Sequence, residues 1–165
     1  MRRLTINGKE YTFKFSIEAS LYNECTEATM NMFLSLGEAQ GEVESASADD
    51  PAESKDQFMS ALRKTFKSVA NIPQTALTLF YAGLMECHGA SGDNTIRSMT
   101  DAKKVLADYL RESGSNFFDV NNMMLECMGE DNFFELTGIA RILNQMKQGG
   151  EEEKKPAKSK KTGEG

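Results

Sequence analysis

Residues 4–15 read Leu4-Thr5-Ile6-Asn7-Gly8-Lys9-Glu10-Tyr11-Thr12-Phe13-Lys14-Phe15 and predict a β-hairpin at the head of the chain. Asn7-Gly8 suits a two-residue type I′ turn, because both central residues of that turn need positive φ. The turn pairs Ile6 with Lys9, Leu4 with Tyr11 and Arg2 with Phe13. Since side chains alternate along a strand, one face of the hairpin is apolar and carries Leu4, Ile6, Tyr11, Phe13 and Phe15. Two strands are marginal alone in water, so helices must cover this face.

The sequence after the hairpin predicts helices with recognisable starts and stops. Ser16 and Thr26 begin the first two through their hydroxyl groups, and Gly37 ends the second. The apolar face of the first comprises Ile17, Leu21, Tyr22 and Cys25. Asp56 begins the next helix, and Pro73 opens a separate one at its first helical position.

The helix that starts at Pro73 is apolar around most of its circumference to Met85, which predicts the centre of the molecule. Ser98 and Asp101 predict a capping box for the following amphipathic helix, whose stripe is Ala102, Val105, Leu106, Tyr109 and Leu110. Ser113-Gly114-Ser115 ends that helix. A Met-rich helix follows from Phe117 to Met128 and stops at Gly129, and a last helix runs from Phe133 to Met146.

The predicted fold is therefore mostly α (α+β in strict terms), with an N-terminal two-stranded β-hairpin packed on a bundle of six to seven helices. Residues 1–148 are expected to form one helical domain. Residues 38–55 are rich in Glu, Asp, Ser and Ala, with few apolar side chains, which predicts a mobile acidic loop. Residues 149–165 predict a disordered tail rich in Lys and Glu.

Composition excludes several classes of function. The net charge is −6 and no basic face is evident, which argues against nucleic-acid binding. No stretch approaches the ~20 apolar residues of a membrane span, and no signal peptide is evident, so we expect no membrane association. The three cysteines, Cys25, Cys87 and Cys127, are far apart and odd in number, which predicts free thiols in a reducing compartment.

A search for chemistry finds no catalytic, cofactor-binding or metal site, and we expect the protein not to be an enzyme. His88 is the only histidine, and it is expected to end a helix rather than to act in catalysis. No phosphate-binding glycine loop or nucleophile elbow is present. What remains is a binding surface: either the helix from Pro73 or the Met-rich helix could present a groove for an apolar helical client, or the two could pack on each other as core.

Several stretches together resemble the tail assembly chaperones of long-tailed, siphovirus-type bacteriophages. The opening Ile6–Phe15, followed by the helix at residues 16–24, resembles the start of these proteins. Phe80–His88 is similar to their middle helix, and Asp101-Ala102-Lys103-Lys104 with Tyr109-Leu110 is similar to the next one. Residues 127–134 are similar to a late region with the pattern Met-x-x-x-x-Phe-Phe. The acidic stretch at residues 37–54 is longer than in the family pattern.

This resemblance implies a protein that binds the tape measure protein, keeps that long apolar helical client soluble and helps to recruit tail tube subunits. A longer form made by ribosomal frameshifting is the form implied to bind the tube protein. The family further implies self-association, action in the host cell cytoplasm and absence from the mature virion. No site residue is implied.

Two other functions are compatible with the residues. An acidic helical adaptor that sequesters a basic partner would account for the charge, and high salt would weaken it steeply. An enzyme with an unrecognised pair of carboxylates would need one carboxyl group of strongly raised pKa in a cleft.

Overall fold

The computed structural model describes the backbone of residues 1–33 and 51–152, and the side chains of residues 1–33 and 70–145. Within these ranges the chain forms one hairpin and seven helices, so the predicted mostly helical fold with an N-terminal hairpin is confirmed. The elements are β1 (Arg2–Ile6), β2 (Lys9–Phe13), α1 (Ile17–Leu21), α2 (residues 23–33), α3 (Pro51–His88), α4 (Met99–Ser113), α5 (Phe117–Glu130), α6 (Phe133–Leu136) and α7 (Ile139–Glu152).

The hairpin has the predicted register. Ile6 lies opposite Lys9, Leu4 opposite Tyr11 and Arg2 opposite Phe13, and the turn residues Asn7 and Gly8 have φ values of 50° and 72°. The predicted face is the inner one: Ile6, Phe13 and Phe15 are buried, while Leu4 and Tyr11 are half-buried against the same core.

The outer edge of β2 is joined to the C-terminal half of α3. In this register Thr12 is not bonded to its cross-strand partner, so its N–H points outward, and it donates to the imidazole of His88. Two residues later, the N–H of Lys14 donates to the carbonyl of Gly83 at 2.8 Å, and the Lys14 ammonium pairs with Glu86. These bonds satisfy an edge that would otherwise be open to another strand.

Helix α3 differs from the sequence prediction at two boundaries. It begins at Pro51, so residues 51–55 of the predicted loop 38–55 are helical, while residues 38–50 lie outside the described residues. Pro73 lies inside this 38-residue helix and does not open a new one. An interior proline costs about 3 kcal/mol, and here the packing of α3 against α5 and β2 outweighs that cost. The side chain of Asn121, on α5, donates to the carbonyl of Ile72 beside the proline at 3.3 Å.

Helix α1 differs most from its prediction. It is a single turn that ends before Tyr22, and Ala19 is its only buried residue. Ile17 and Leu21, two members of its predicted apolar face, are exposed. Ser16 occupies the N-cap position, but its hydroxyl makes no capping hydrogen bond. A five-residue helix is too short to bury a full amphipathic stripe, so the small Ala19 makes the close contact.

The N-cap predicted for α4 is confirmed at Ser98, while the Asp101 carboxylate accepts from the Arg97 N–H and the Ser98 hydroxyl. The Ser98 hydroxyl oxygen accepts from the Asp101 N–H at 3.3 Å, and Gly114 ends the helix in the left-handed conformation at φ 68°. Three of the five stripe residues, Ala102, Val105 and Leu106, are buried, and Tyr109 and Leu110 are partly buried against the same core.

The C-terminal helices need three corrections. Gly129 does not stop α5, which continues to Glu130 and is capped by Asp131. The single helix expected from Phe133 to Met146 is two, because Gly138 adopts φ 77° and breaks it into α6 and α7. Helix α7 then runs through Gly149 and Gly150 to Glu152, so the predicted tail begins inside a helix; residues 153–165 lie outside the described residues.

The core lies between the inner face of the hairpin and helices α3, α4 and α5. Phe13 packs edge-on against Phe80 with ring centroids 4.7 Å apart, and Phe15 packs against Phe133 at 5.6 Å. The largest side chains that are fully buried are Phe13, Phe15, Phe80, Phe133, Ile6, Leu79, Leu84, Met124, Met128 and Ile139.

Candidate interaction surface

The two helices considered as possible groove surfaces both contribute side chains to the core. Leu79, Phe80 and Leu84 of α3 are buried, and so are Met123, Met124 and Met128 of α5. The two helices pack on each other, so these buried side chains fill the interior of the protein. The first turn of α5 differs: Phe118 is 57% exposed.

His88 joins three parts of the molecule. It is 7% exposed, at the last residue of α3, and its Nε2 accepts from the Thr12 N–H at 2.9 Å. Because Nε2 must offer a lone pair, the ring proton lies on Nδ1 and is donated to Asp93, also at 2.9 Å. The ring of Tyr11 packs against the imidazole with centroids 5.4 Å apart. Both ring nitrogens are thus used in structural bonds, which leaves neither for a substrate or a metal ion.

The cysteines are not poised for chemistry. Burial raises the pKa of the Cys25 thiol to about 12, against a weaker opposing effect of the Thr29 hydroxyl. Burial also raises the pKa of Cys127, which is buried, and that of Cys87, which is half-buried. Thiols with raised pKa hold little thiolate at neutral pH. Among the residues with described side chains, no three His, Cys, Asp or Glu groups come together as a metal site requires.

One group of exposed aliphatic side chains stands out, and we call it the α1–α7 apolar surface. Its members are Ile17, which is 64% exposed, Leu21 at 74%, Leu136 at 53% and Ile142 at 44%. Ile17 and Leu21 are four residues apart and therefore lie on the same side of α1. A single exposed leucine is ordinary, but four large aliphatic side chains on adjoining elements are a candidate interaction site.

The elements that carry this surface are in contact. Helix α1 contacts α6, and α6 contacts α7. Helix α2 adjoins them, since the ring of Phe33 packs edge-on against Phe134 of α6 at 5.7 Å. The buried anchors Ala19, Phe133 and Ile139 hold α1, α6 and α7 to the core. The exposed side chains are therefore presented by helices whose inner sides are fixed.

The sequence analysis did not predict that these four side chains are exposed. The spacing of Ile17 and Leu21 indicates a helical apolar face, but periodicity alone does not say whether that face meets the core or the solvent. The signal that could have raised the question is the length of the helix, because α1 ends before Tyr22 and has only one turn. Leu136 and Ile142 were expected on one continuous helix, which Gly138 divides into α6 and α7, and both side chains are exposed.

Over the described part of the chain, no helix has the length and apolar character that crossing a membrane requires. No protein-family model, curated protein or solved structure matches this chain.

Proposed function

We propose that this chain is a tail assembly chaperone of a long-tailed bacteriophage. In this proposal it binds the tape measure protein in the host cytoplasm, keeps it soluble, and leaves before the virion is complete. Tube subunits are recruited through a longer, frameshifted form, and copies of the chaperone self-associate. The resemblance of residues 6–24, 80–88, 101–110 and 127–134 to this family supports the proposal.

The observation that carries the proposal is the α1–α7 apolar surface. A chaperone for an apolar helical client needs solvent-exposed aliphatic side chains on a folded body, and Leu21 and Leu136 are such side chains. Burying the remaining exposed area of one of them is worth about 1 to 2 kcal/mol. Four such contacts, less the entropy of association, favour weak and reversible binding at each site. Reversibility suits a protein that must leave its client.

The second candidate function is the acidic adaptor that sequesters a basic partner. It is favoured by the charge of the elements around the surface: residues 15–33 contain Glu18, Glu24 and Glu27 and no Lys, Arg or His. Charge-driven binding between exposed groups is screened by salt, whereas apolar contact is not. Salt response therefore separates the two functions.

The test is co-expression of the chain with the long tape-measure reading frame beside its gene. We expect the client to be soluble only with the chaperone, and the pair to stay together at about 1 M NaCl, where the Debye length falls to about 3 Å. The double variant Leu21→Asp with Leu136→Asp should lose the client. Phe118→Asp is the matched control, because Phe118 is equally exposed but lies at the start of α5, outside the surface.

Insoluble client in the presence of the wild-type chain would refute the chaperone. A pair that separates as salt rises would favour the adaptor instead. Loss of the client with Phe118→Asp, but not with the double variant, would place the binding site elsewhere.

A further inference from the structure

We propose that His88, with its hydrogen bonds to Thr12 and Asp93, is a pH-sensitive latch. When the imidazole takes up a proton, the bond to Thr12 is lost and the bond to Asp93 is kept. The outer edge of β2 is then released from the end of α3 while the helices stay folded. The latch does not depend on the identity of a client, because every group in it belongs to this chain.

The bond to Thr12 requires a neutral ring. Nε2 of His88 accepts from the Thr12 N–H at 2.9 Å, which uses the lone pair of that nitrogen. An imidazolium carries a proton on both ring nitrogens and has no lone pair to offer. Protonation therefore sets two N–H donors against each other at this position, and the Thr12 N–H loses its acceptor.

The bond to Asp93 is strengthened by the same proton. Nδ1 of His88 lies 2.9 Å from one oxygen of Asp93, and between an imidazolium and a carboxylate this becomes a charge-assisted hydrogen bond. Asp93 is itself held in place, because its other oxygen accepts from the Thr95 hydroxyl at 2.6 Å and from the Thr95 N–H at 3.0 Å. The protonated ring therefore stays with the loop after α3, and the hairpin is the partner that it loses.

The other titratable groups around the imidazole keep their charge between pH 5 and 8, the range in which histidine side chains usually titrate. The pKa of Asp93 is lowered to about 2, so its carboxylate stays ionised. Burial raises the pKa of Tyr11, whose ring packs on the imidazole, and that of the adjacent Cys87, so both stay protonated. The titratable groups on the elements around the ring are Lys9, Tyr11, Lys14, Glu86, Cys87, Asp93 and Asp108.

The rest of the hairpin attachment does not involve a group that titrates in this range. The N–H of Lys14 donates to the backbone carbonyl of Gly83 at 2.8 Å, and Phe13 and Phe15 are fully buried. Loss of the Thr12 bond thus frees one N–H on the strand edge and leaves the hairpin docked. An unpaired N–H on a strand edge is the kind of group that pairs with another extended chain.

NMR of the full chain labelled with 15N tests the latch directly. The Thr12 amide and the His88 ring nitrogens are followed from pH 8 to pH 5, and we expect their signals to change together. The protection of the Thr12 amide against hydrogen exchange should fall about tenfold when the ring is charged, which corresponds to one net hydrogen bond. The Lys14 amide is the internal control and should keep its protection, because a backbone carbonyl takes up no proton in this range.

Two variants separate the contributions of the ring and the carboxylate. His88→Gln keeps an acceptor that takes up no proton, so the protection of Thr12 should be the same at pH 8 and pH 5. Asp93→Asn removes the negative charge that favours the imidazolium, so the release of Thr12 should move to lower pH. The wild-type measurement does not depend on either variant.

A Thr12 amide that is unchanged while the ring nitrogens report protonation would overturn the inference, and so would a ring that stays neutral down to pH 5. An equal pH response of Thr12 in His88→Gln would also overturn it, because another group would then be responsible. Loss of protection at Lys14 together with Thr12 would mean that the hairpin unfolds as a whole, which the latch does not allow.

Discussion

The backbone N–H of Thr12 donates a 2.9 Å hydrogen bond to Nε2 of His88, across 76 residues of sequence. The bond joins the outward edge of β2 to the last residue of α3, where His88 is buried and Thr12 half-buried. The Asp93 carboxylate accepts a hydrogen bond from the N–H of the other ring nitrogen, Nδ1, and so fixes the tautomer. The lone histidine is therefore a structural element of the hairpin attachment.

Replacing His88 tests this attachment. His88→Ala should lower the free energy of unfolding by about 2 to 4 kcal/mol, because it leaves the Thr12 N–H unpaired and opens a cavity. His88→Gln, which keeps an acceptor near the Nε2 position, should lose less. Urea unfolding measures both values. Equal losses in the two variants would mean that the Thr12 bond contributes little.

Phe13 tests the docking of the hairpin face. Phe13→Asp places an unpaired carboxylate at a fully buried position against Phe80, so it should destabilise the protein by several kcal/mol or prevent folding. Thr5→Ser is the control, because Thr5 is exposed on the other face of β1, and it should change stability by less than about 0.5 kcal/mol. Thermal melting monitored by circular dichroism compares the two. Unchanged melting of Phe13→Asp would contradict a docked hairpin.

Two helical glycines should respond differently to alanine. Gly129→Ala should stabilise the protein by about 0.5 to 1 kcal/mol, because alanine favours helix and its Cβ would meet only Phe134 at 4.0 Å. A Cβ on Gly83 would lie 3.1 Å from Phe13 and 3.2 Å from Phe15, both fully buried. Gly83→Ala should therefore gain nothing, and Gly83→Val should lose about 1 to 3 kcal/mol. Denaturant midpoints measure all three, and a stabilised Gly83→Val variant would rule out the close approach of β2 and α3.

The loop after α3 predicts an acid-dependent contribution to stability. The hydroxyl of Thr95, aided by its N–H and by His88, lowers the pKa of Asp93 from 3.8 to about 2. A carboxyl group whose pKa is lowered by folding stabilises the folded state at pH values above its pKa in the unfolded chain. This contribution is lost as the pH falls from about 4 through 2. Thr95→Val should reduce the slope of stability against pH in that window. An NMR titration of Asp93 gives the direct value, and an undepressed pKa would contradict the Thr95 contact.

The thiols should react in an order set by burial. Cys87 is half-buried and should be modified first by a thiol reagent at pH 8, while Cys25, with a pKa of about 12, should stay protected until the protein unfolds. Mass spectrometry of partially alkylated protein gives the order. Early labelling of Cys25 would show that α2 opens readily.

Local signals in the sequence were sufficient for some elements. Asn7-Gly8 specifies both the turn and the register of the hairpin, because few dipeptides accept two positive φ values. Ser98 with Asp101, and Gly114, mark the two ends of α4 for similar reasons. The fold class followed from these signals and from helical periodicity.

Features set by distant contacts were not predictable in this way. Pro73 normally begins or breaks a helix, and its place inside α3 depends on packing against α5 and β2. His88 and Asp131 bind backbone N–H groups of the hairpin that are 76 and 116 residues away. The outward direction of Ile17 and Leu21 depends equally on which side of α1 meets α6 and α3. Periodicity carries no information about such pairings.

The same attachments determine the order in which the molecule can be completed. The hairpin is translated early, yet Phe15 must wait for Asp131, which lies 116 residues later. At the usual synthesis rates of about 5 to 20 residues per second, this interval is roughly 6 to 23 s. Throughout it, Phe15 lacks its ring partner Phe133, and Phe13 lacks its ring partner Phe80 until that residue has been made. The first residues to be synthesised are thus among the last to be buried, and until then the nascent chain exposes an apolar aromatic segment.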